Sequence, residues 1–221
     1  MNRTKYFASA WLLATTFLAA TAVAQTAPVA PPTATPGATT LTQQERDKAL
    51  ASLQATHDKF LQSISGLSEK QWKFKPGPDR WSIAEVSEHI TLAESGIFGL
   101  VQQKVMQTPA TPEKRASVMG KDDIILTKVP DRSVKAKAPE FLQPTGRFAT
   151  PQDVVKAFEQ ARGVTMNYIR TTNDDLRDHF FDHPVLGTMD GYQWILLISA
   201  HSERHTEQIE EVKADPNYPK E

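Results

Sequence analysis

The fold is organised around residues 194–212, which read WILLISAHSERHTEQIEEV. On an α-helix each residue turns by about 100°, so side chains spaced by three and four fall on one stripe. The stripe in this stretch consists of Trp194, Ile198, His201, His205, Gln208 and Val212. The pattern predicts an amphipathic helix that turns two histidines toward the core of the protein.

The two histidines lie four residues apart, which indicates a possible ligand pair. Helical residues at this spacing have Cβ atoms about 5–6 Å apart, so both imidazoles can reach one metal ion. Ser202 stands where an HExxH protease has its catalytic glutamate, and Glu203 lies about 200° around the helix from His201. The sequence therefore excludes an HExxH protease. Two interpretations stay open, half of a metal site or two interior histidines satisfied by hydrogen bonds.

Helix starts are marked by four capping patterns. They are Thr42-x-x-Glu45, Ser82-x-x-Glu85, Thr150-Pro151-x-Asp153 and Asp190-x-x-Gln193. Each pattern opens a run of about 20 residues with helical apolar spacing, whereas strand signals are nearly absent. We therefore predict an all-α chain, an antiparallel four-helix bundle. A long crossover loop between helices 2 and 3, residues 106–150, includes one short helix near residues 121–128.

The four other histidines differ in how well their positions suit a metal ligand. His89 lies beside the apolar stripe of the second helix, from which it can approach the pair on the fourth helix. Three imidazoles and a water form the ligand set of an open catalytic Zn²⁺ site, and Ni²⁺ also accepts them. His57 is open to three interpretations, a fourth ligand, a proton shuttle or a buried neutral histidine. His179 and His183 are expected on a surface loop without metal, because Pro184 disfavours a continuous helix there.

The N-terminus has the pattern of a secretory signal peptide. Arg3 and Lys5 precede an apolar run, and Ala22-Val23-Ala24 forms an A-x-A cleavage site. We expect cleavage after Ala24 and a periplasmic or secreted protein. The apolar run is short for a membrane span, so no stable membrane insertion is expected after cleavage. The chain has no cysteine, which excludes a disulfide framework and lipobox acylation.

Composition and charge predict a linker, a single domain and a class of partner that is excluded. Residues 25–40 contain mainly Pro, Ala and Thr without charge, which predicts a disordered linker. Removal of residues 1–24 changes the formal net charge from −1 to −3, which argues against nucleic acid as the partner. We expect one domain over residues 41–214, followed by a C-terminal tail over residues 215–221.

Several motifs in this chain occur together in a known family. They are Gly66-Leu67-Ser68-x-x-Gln71, Trp81-Ser82-Ile83-x-Glu85-x-x-x-His89, Val129-Pro130-Asp131-Arg132-Ser133, Asp190-Gly191-Tyr192-Gln193-Trp194 and His201-x-x-Arg204-His205-x-x-Gln208-Ile209. With these motifs in this order, the chain resembles the DinB-like (YfiT-type) superfamily over nearly all of residues 42–213. The resemblance implies a four-helix bundle that holds a divalent metal ion through His89, His201 and His205. It also implies a tendency to dimerise, although no exposed apolar face in the sequence argues for a homodimer.

The resemblance fixes the reaction less closely than the fold. Relatives include thiol S-transferases, isomerases and proteins described as metal-dependent hydrolases, and a shared fold does not determine the chemistry. We expect a hydrolase or thiol S-transferase that acts on a small-molecule substrate through metal-bound water or thiolate. The candidates for catalytic or substrate-binding roles are Glu94, Arg204 and His57. A non-catalytic periplasmic module that binds metal or another ligand, and a structural bundle with interior histidines, are the alternatives.

Overall fold

A computed structural model describes residues 40–133 and 137–220 of the chain. The helices are α1 (Gln43–Ile64), α2 (Glu69–Lys73), α3 (Ile83–Gln103), α4 (Lys121–Lys128), α5 (Pro151–Thr171) and α6 (Gly191–Lys213), and the strands are β1 (Phe180–His183) and β2 (Gly187–Asp190). The prediction of an all-α four-helix bundle is confirmed. The predicted signal peptide and all but the last residue of the predicted linker lie outside the described residues. Within the described ranges, no helix is long and apolar enough to cross a membrane.

The four long helices begin at the predicted caps. In α3, the Ser82 hydroxyl accepts the backbone N–H of Glu85 at 3.2 Å, and the Glu85 carboxylate accepts that of Ser82 at 2.7 Å. The same reciprocal pair forms at the starts of α1, α5 and α6. These bonds satisfy backbone donors that have no partner inside the helix, which explains why local sequence sets the helix starts so well.

The long helices pack in a ring whose order differs from the chain order. Helix α3 packs against α6, α6 against α1, α1 against α5, and α5 against α3. The core between them is formed by buried side chains from all four helices, among them Leu53, Phe60, Ile90, Ile97, Phe158, Ile169, Ile198 and Ile209. Because α3 and α6 are neighbours in this ring, a histidine on α3 can meet the pair on α6.

A β-hairpin replaces part of the loop that was expected before α6. Strands β1 and β2 pair antiparallel from Phe180↔Asp190 to His183↔Gly187, and Gly187 takes a positive φ of 68° at the turn. His183 is half-buried, because its ring lies 5.3 Å from that of Trp194 and its Nδ1 accepts two backbone N–H groups of the turn. The half-buried His179 bonds through Nδ1 to the Thr108 carbonyl at 2.6 Å. The expected surface exposure of both histidines was wrong, since their rings stabilise the hairpin and its surroundings.

Gly191, the first residue of α6, offers a test of how tightly this helix start is packed. A Cβ at this position would lie 2.9 Å from the backbone oxygen of Leu176. We expect Gly191→Ala to lower the free energy of unfolding by about 1–3 kcal/mol through overpacking, as measured by urea denaturation. The control is Gly163→Ala on the exposed face of α5, where no atom lies within 4 Å of the added Cβ. This variant should gain about 0.5–1 kcal/mol, and equal stability of both variants would contradict the expectation.

Candidate metal centre

Three histidines converge between α3 and α6. The Nε2 atom of His89 lies 3.2 Å from Nε2 of His201 and 3.2 Å from Nε2 of His205. One ring nitrogen from each residue lies within 4.8 Å of the other two. His89 is 2% exposed, whereas His201 and His205 are partly exposed. His89 is therefore the most enclosed residue of the three.

Hydrogen bonds orient two of the three imidazoles. Nδ1 of His89 lies 2.8 Å from the carbonyl oxygen of Leu142, and Nδ1 of His205 lies 2.8 Å from Oε1 of Gln208. Because both partners are oxygen acceptors, each Nδ1 carries the proton and each Nε2 presents a lone pair to the cluster. This is the arrangement in which histidine ligates a metal while its second ring nitrogen bonds to an oxygen.

The donor set fits a divalent cation. A proton on Nε2 of His201 could bond to only one neighbouring imidazole at a time, whereas Nδ1 of His201 is buried and makes no hydrogen bond in either tautomer. A cation accepts all three Nε2 lone pairs at once. Three neutral imidazoles are ligands for Zn²⁺ and also for Ni²⁺, and they leave a coordination position open.

Burial lowers the pKa of all three imidazoles. Burial is the largest cause of the shift in each case. It lowers the pKa of His89, and it lowers the pKa of His201 far below its ordinary value. The pKa of His205 falls to about 3. Repulsion between the neighbouring imidazoles lowers the pKa of His201 and His205 further. The three side chains are consequently neutral at pH 7, which is the form that binds metal.

These pKa shifts predict acid-dependent stability of the metal-free protein. Histidines in the unfolded chain take up protons below about pH 6.5, whereas the buried imidazoles resist protonation down to about pH 3 for His205. Stability is therefore greatest above pH 6.5 and is lost as the pH falls toward 3. We expect the urea midpoint, measured with chelator present, to fall between pH 7 and pH 5. A His205→Gln variant should show a shallower fall, and a wild-type midpoint that stays constant over this range would contradict the expectation.

The crossover between α3 and α5 contacts α6 next to the cluster. Arg132 makes a bidentate ion pair with Glu211, with Nε to Oε1 at 2.6 Å and Nη2 to Oε2 at 3.0 Å, and its Nη1 lies 3.3 Å from Oε1 of Gln208. Arg204 donates through Nη1 to the carbonyl oxygens of Val129 and Asp131. Arg204, a candidate for a catalytic or substrate-binding role, holds the crossover to α6 in this structure.

Glu94 and His57 are not brought to the cluster. The Glu94 carboxylate is buried and accepts hydrogen bonds from Arg162 and Ser202, so it does not orient an imidazole. Nδ1 of His57 lies 2.8 Å from Oδ1 of Asp58, and its ring stacks on Phe158 of α5 with 5.7 Å between centroids. The fourth-ligand interpretation of His57 is therefore corrected, because the ring lies between α1 and α5 rather than between α3 and α6.

Two contributors to the site were missed from sequence. Trp81 was not assigned a role in the site from the sequence, but its ring centroid lies 5.1 Å from that of His89. Its position directly before the helix cap, and two turns before His89, was a usable signal. Leu142 contributes a backbone carbonyl, and every residue type has one. No side-chain pattern could have identified it.

Comparisons with known proteins agree with this architecture. A family model described as the DinB superfamily matches residues 52–209. The protein YuaE of Bacillus subtilis (strain 168) is 25% identical over 150 residues, which cover 68% of this chain and 88% of YuaE. YfiT from Bacillus subtilis, described as a probable metal-dependent hydrolase with an unusual four-helix bundle topology, superposes with a TM-score of 0.52 at 15% identity, over 82% of this chain and 93% of YfiT. At this identity, the similarity to YfiT establishes the fold alone.

Proposed function

The chain belongs to the DinB superfamily, and from this premise we propose that it is a metal-dependent hydrolase whose divalent ion is held by His89, His201 and His205. One observation carries the proposal. The three Nε2 atoms converge while the Nδ1 atoms of His89 and His205 are bonded to oxygens. The description of YfiT as a probable metal-dependent hydrolase supports the reaction class.

The residues around the cluster suit such a site. A bound Zn²⁺-type ion supplies Lewis acidity that makes water nucleophilic near pH 7. The Leu142 carbonyl and the Gln208 amide keep the imidazole lone pairs of His89 and His205 directed inward. Trp81 packs beside the buried His89, whereas His201 and His205 are partly exposed.

Metal content and turnover together test this function. The mature chain is purified without chelator, and its bound metal is measured before and after treatment with chelator. Ester, amide and thiol-transfer substrates are then screened with the metal removed and restored. About one ion per chain and metal-dependent ester or amide cleavage are expected. Thiol transfer without ester or amide cleavage would indicate the S-transferase alternative. Bound metal without turnover would indicate a binding module. A protein that binds no metal after reconstitution with Zn²⁺ or Ni²⁺ would be a structural bundle.

Export is part of the same proposal. It rests on the signal-peptide pattern of residues 1–24 in the sequence. Mass spectrometry of the protein recovered from the periplasm or the culture medium should give a chain that begins at Gln25. A chain that retains Met1 and stays in the cytoplasm would overturn this part of the proposal and leave the metal centre unaffected.

A further inference from the structure

Glu88, the residue directly before His89, has a carboxylate that binds the backbone of the crossover. It is 3% exposed. Its Oε1 accepts the N–H of Thr145 at 2.8 Å, and its Oε2 accepts those of Gly146 and Arg147 at 2.9 and 3.2 Å. Nε of the exposed Arg147 lies 4.0 Å from Oε1 of Glu88. Backbone amides are therefore the main partners of this buried charge, and hydrogen bonds to a charged acceptor are stronger than neutral ones.

The same stretch of crossover bonds to the metal centre. Leu142 lies three residues before Thr145, and its carbonyl oxygen bonds to Nδ1 of His89. Its side chain is buried, and one methyl group would lie 3.3 Å from a Cβ added at Gly96 of α3. Two consecutive residues of α3, Glu88 and His89, thus hold the crossover at two points a few residues apart. Displacement of residues 145–147 would move the Leu142 carbonyl as well.

We propose that Glu88 is a positioning residue of the metal centre, which holds the crossover so that the Leu142 carbonyl fixes His89 with its proton on Nδ1 and its lone pair on Nε2. The inference rests on the proposed function, because it concerns the same three-histidine site. Without this acceptor, a neutral imidazole can carry its proton on either nitrogen. Groups that orient metal ligands in this way typically change metal affinity by about 10–100-fold when they are removed.

Glu88→Gln separates this role from simple attachment of the crossover. The amide has one acceptor oxygen, and its NH₂ group would face backbone N–H donors where the second carboxylate oxygen now accepts them. The matched control is Glu85→Gln, one turn earlier on α3. The Glu85 carboxylate also accepts a backbone N–H, that of Ser82, and it pairs with Lys75 at 2.9 Å, but it makes no bond to the crossover. Thr145→Pro is a second variant at an exposed position, which removes the backbone N–H and the hydroxyl that Thr145 donates to Glu88.

Two measurements test the proposal. The first is the tautomer of His89 in the metal-free proteins labelled with ¹⁵N-histidine, read from long-range ¹H–¹⁵N correlations. The second is Co²⁺ affinity, measured by competition with a chromophoric chelator. We expect the Nδ1–H form in wild type and in Glu85→Gln. In Glu88→Gln we expect mixed tautomers and about 10–100-fold weaker Co²⁺ binding. Thr145→Pro should change both quantities in the same direction by a smaller amount.

The outcomes separate this inference from the proposed function. A wild-type protein that binds no Co²⁺ overturns the metal centre, and with it the role of Glu88 in metal binding. Wild-type Co²⁺ binding with an Nε2–H tautomer at His89 overturns the inference alone. Unchanged affinity and tautomer in folded Glu88→Gln overturn it too. If Glu88→Gln does not fold, unchanged values in Thr145→Pro overturn it.

Discussion

Replacement of His201 by alanine is expected to abolish stoichiometric metal binding. His201 supplies one of three converging Nε2 atoms, 3.2 Å from that of His89. Its removal leaves two imidazoles, one fewer than the three protein ligands of an open catalytic Zn²⁺ site. Removal of a group that only orients a metal-ligating side chain typically weakens metal binding by about 10–100-fold. The loss of affinity for Zn²⁺ in His201→Ala should be larger than this. Metal-dependent turnover should disappear with it. Metal analysis after gel filtration, and competition titration with a chelator, measure the change.

His57→Ala is the matched control for this variant. His57 is also a partly buried histidine on a long helix, but its ring stacks on Phe158 and its Nδ1 bonds to Asp58. The control should therefore keep about one ion per chain. Retained metal in His201→Ala, or equal loss in His57→Ala, would show that the ion is bound elsewhere.

Replacement of Arg162 by methionine is expected to lower the free energy of unfolding by about 3–5 kcal/mol. Arg162 on α5 and Glu94 on α3 each have side chains that are 1% exposed. Two guanidinium nitrogens bond to the two carboxylate oxygens at 2.8 and 2.5 Å, and Nη2 also lies 3.0 Å from the Ser202 hydroxyl on α6. Methionine would leave the Glu94 charge buried without its cation. Urea denaturation at pH 7 measures the loss.

Two controls test the reason for this loss. Arg162→Met combined with Glu94→Leu removes both charges and should recover most of the stability, because an apolar pair of similar volume avoids the unpaired buried charge. Lys73→Met breaks the exposed pair with Glu69, whose side chains are 64% and 80% exposed, and should cost less than about 1 kcal/mol. A single Arg162→Met variant as stable as wild type would mean that water or another group reaches Glu94.

Features that depend on near neighbours in the chain were predictable from the sequence. Thr42, Ser82, Thr150 and Asp190 cap their helices through side chains that bond to backbone groups three residues away. The pairing of His201 with His205 follows from the helical repeat in the same way. Helical periodicity and capping are short-range effects, so one sequence carries enough information to place them.

Contacts between distant segments were decided by the tertiary structure. The approach of His89 to His201 depends on α3 and α6 being neighbours in the ring, and the His89–Leu142 bond depends on the path of the crossover backbone. Glu94 shows the limit most clearly. Its position five residues after His89 suggested a role beside the metal ligands, but the Arg162 guanidinium on α5 takes both of its oxygens. The helical repeat determines which face a side chain occupies, and only the packing of the helices determines which partner it meets there.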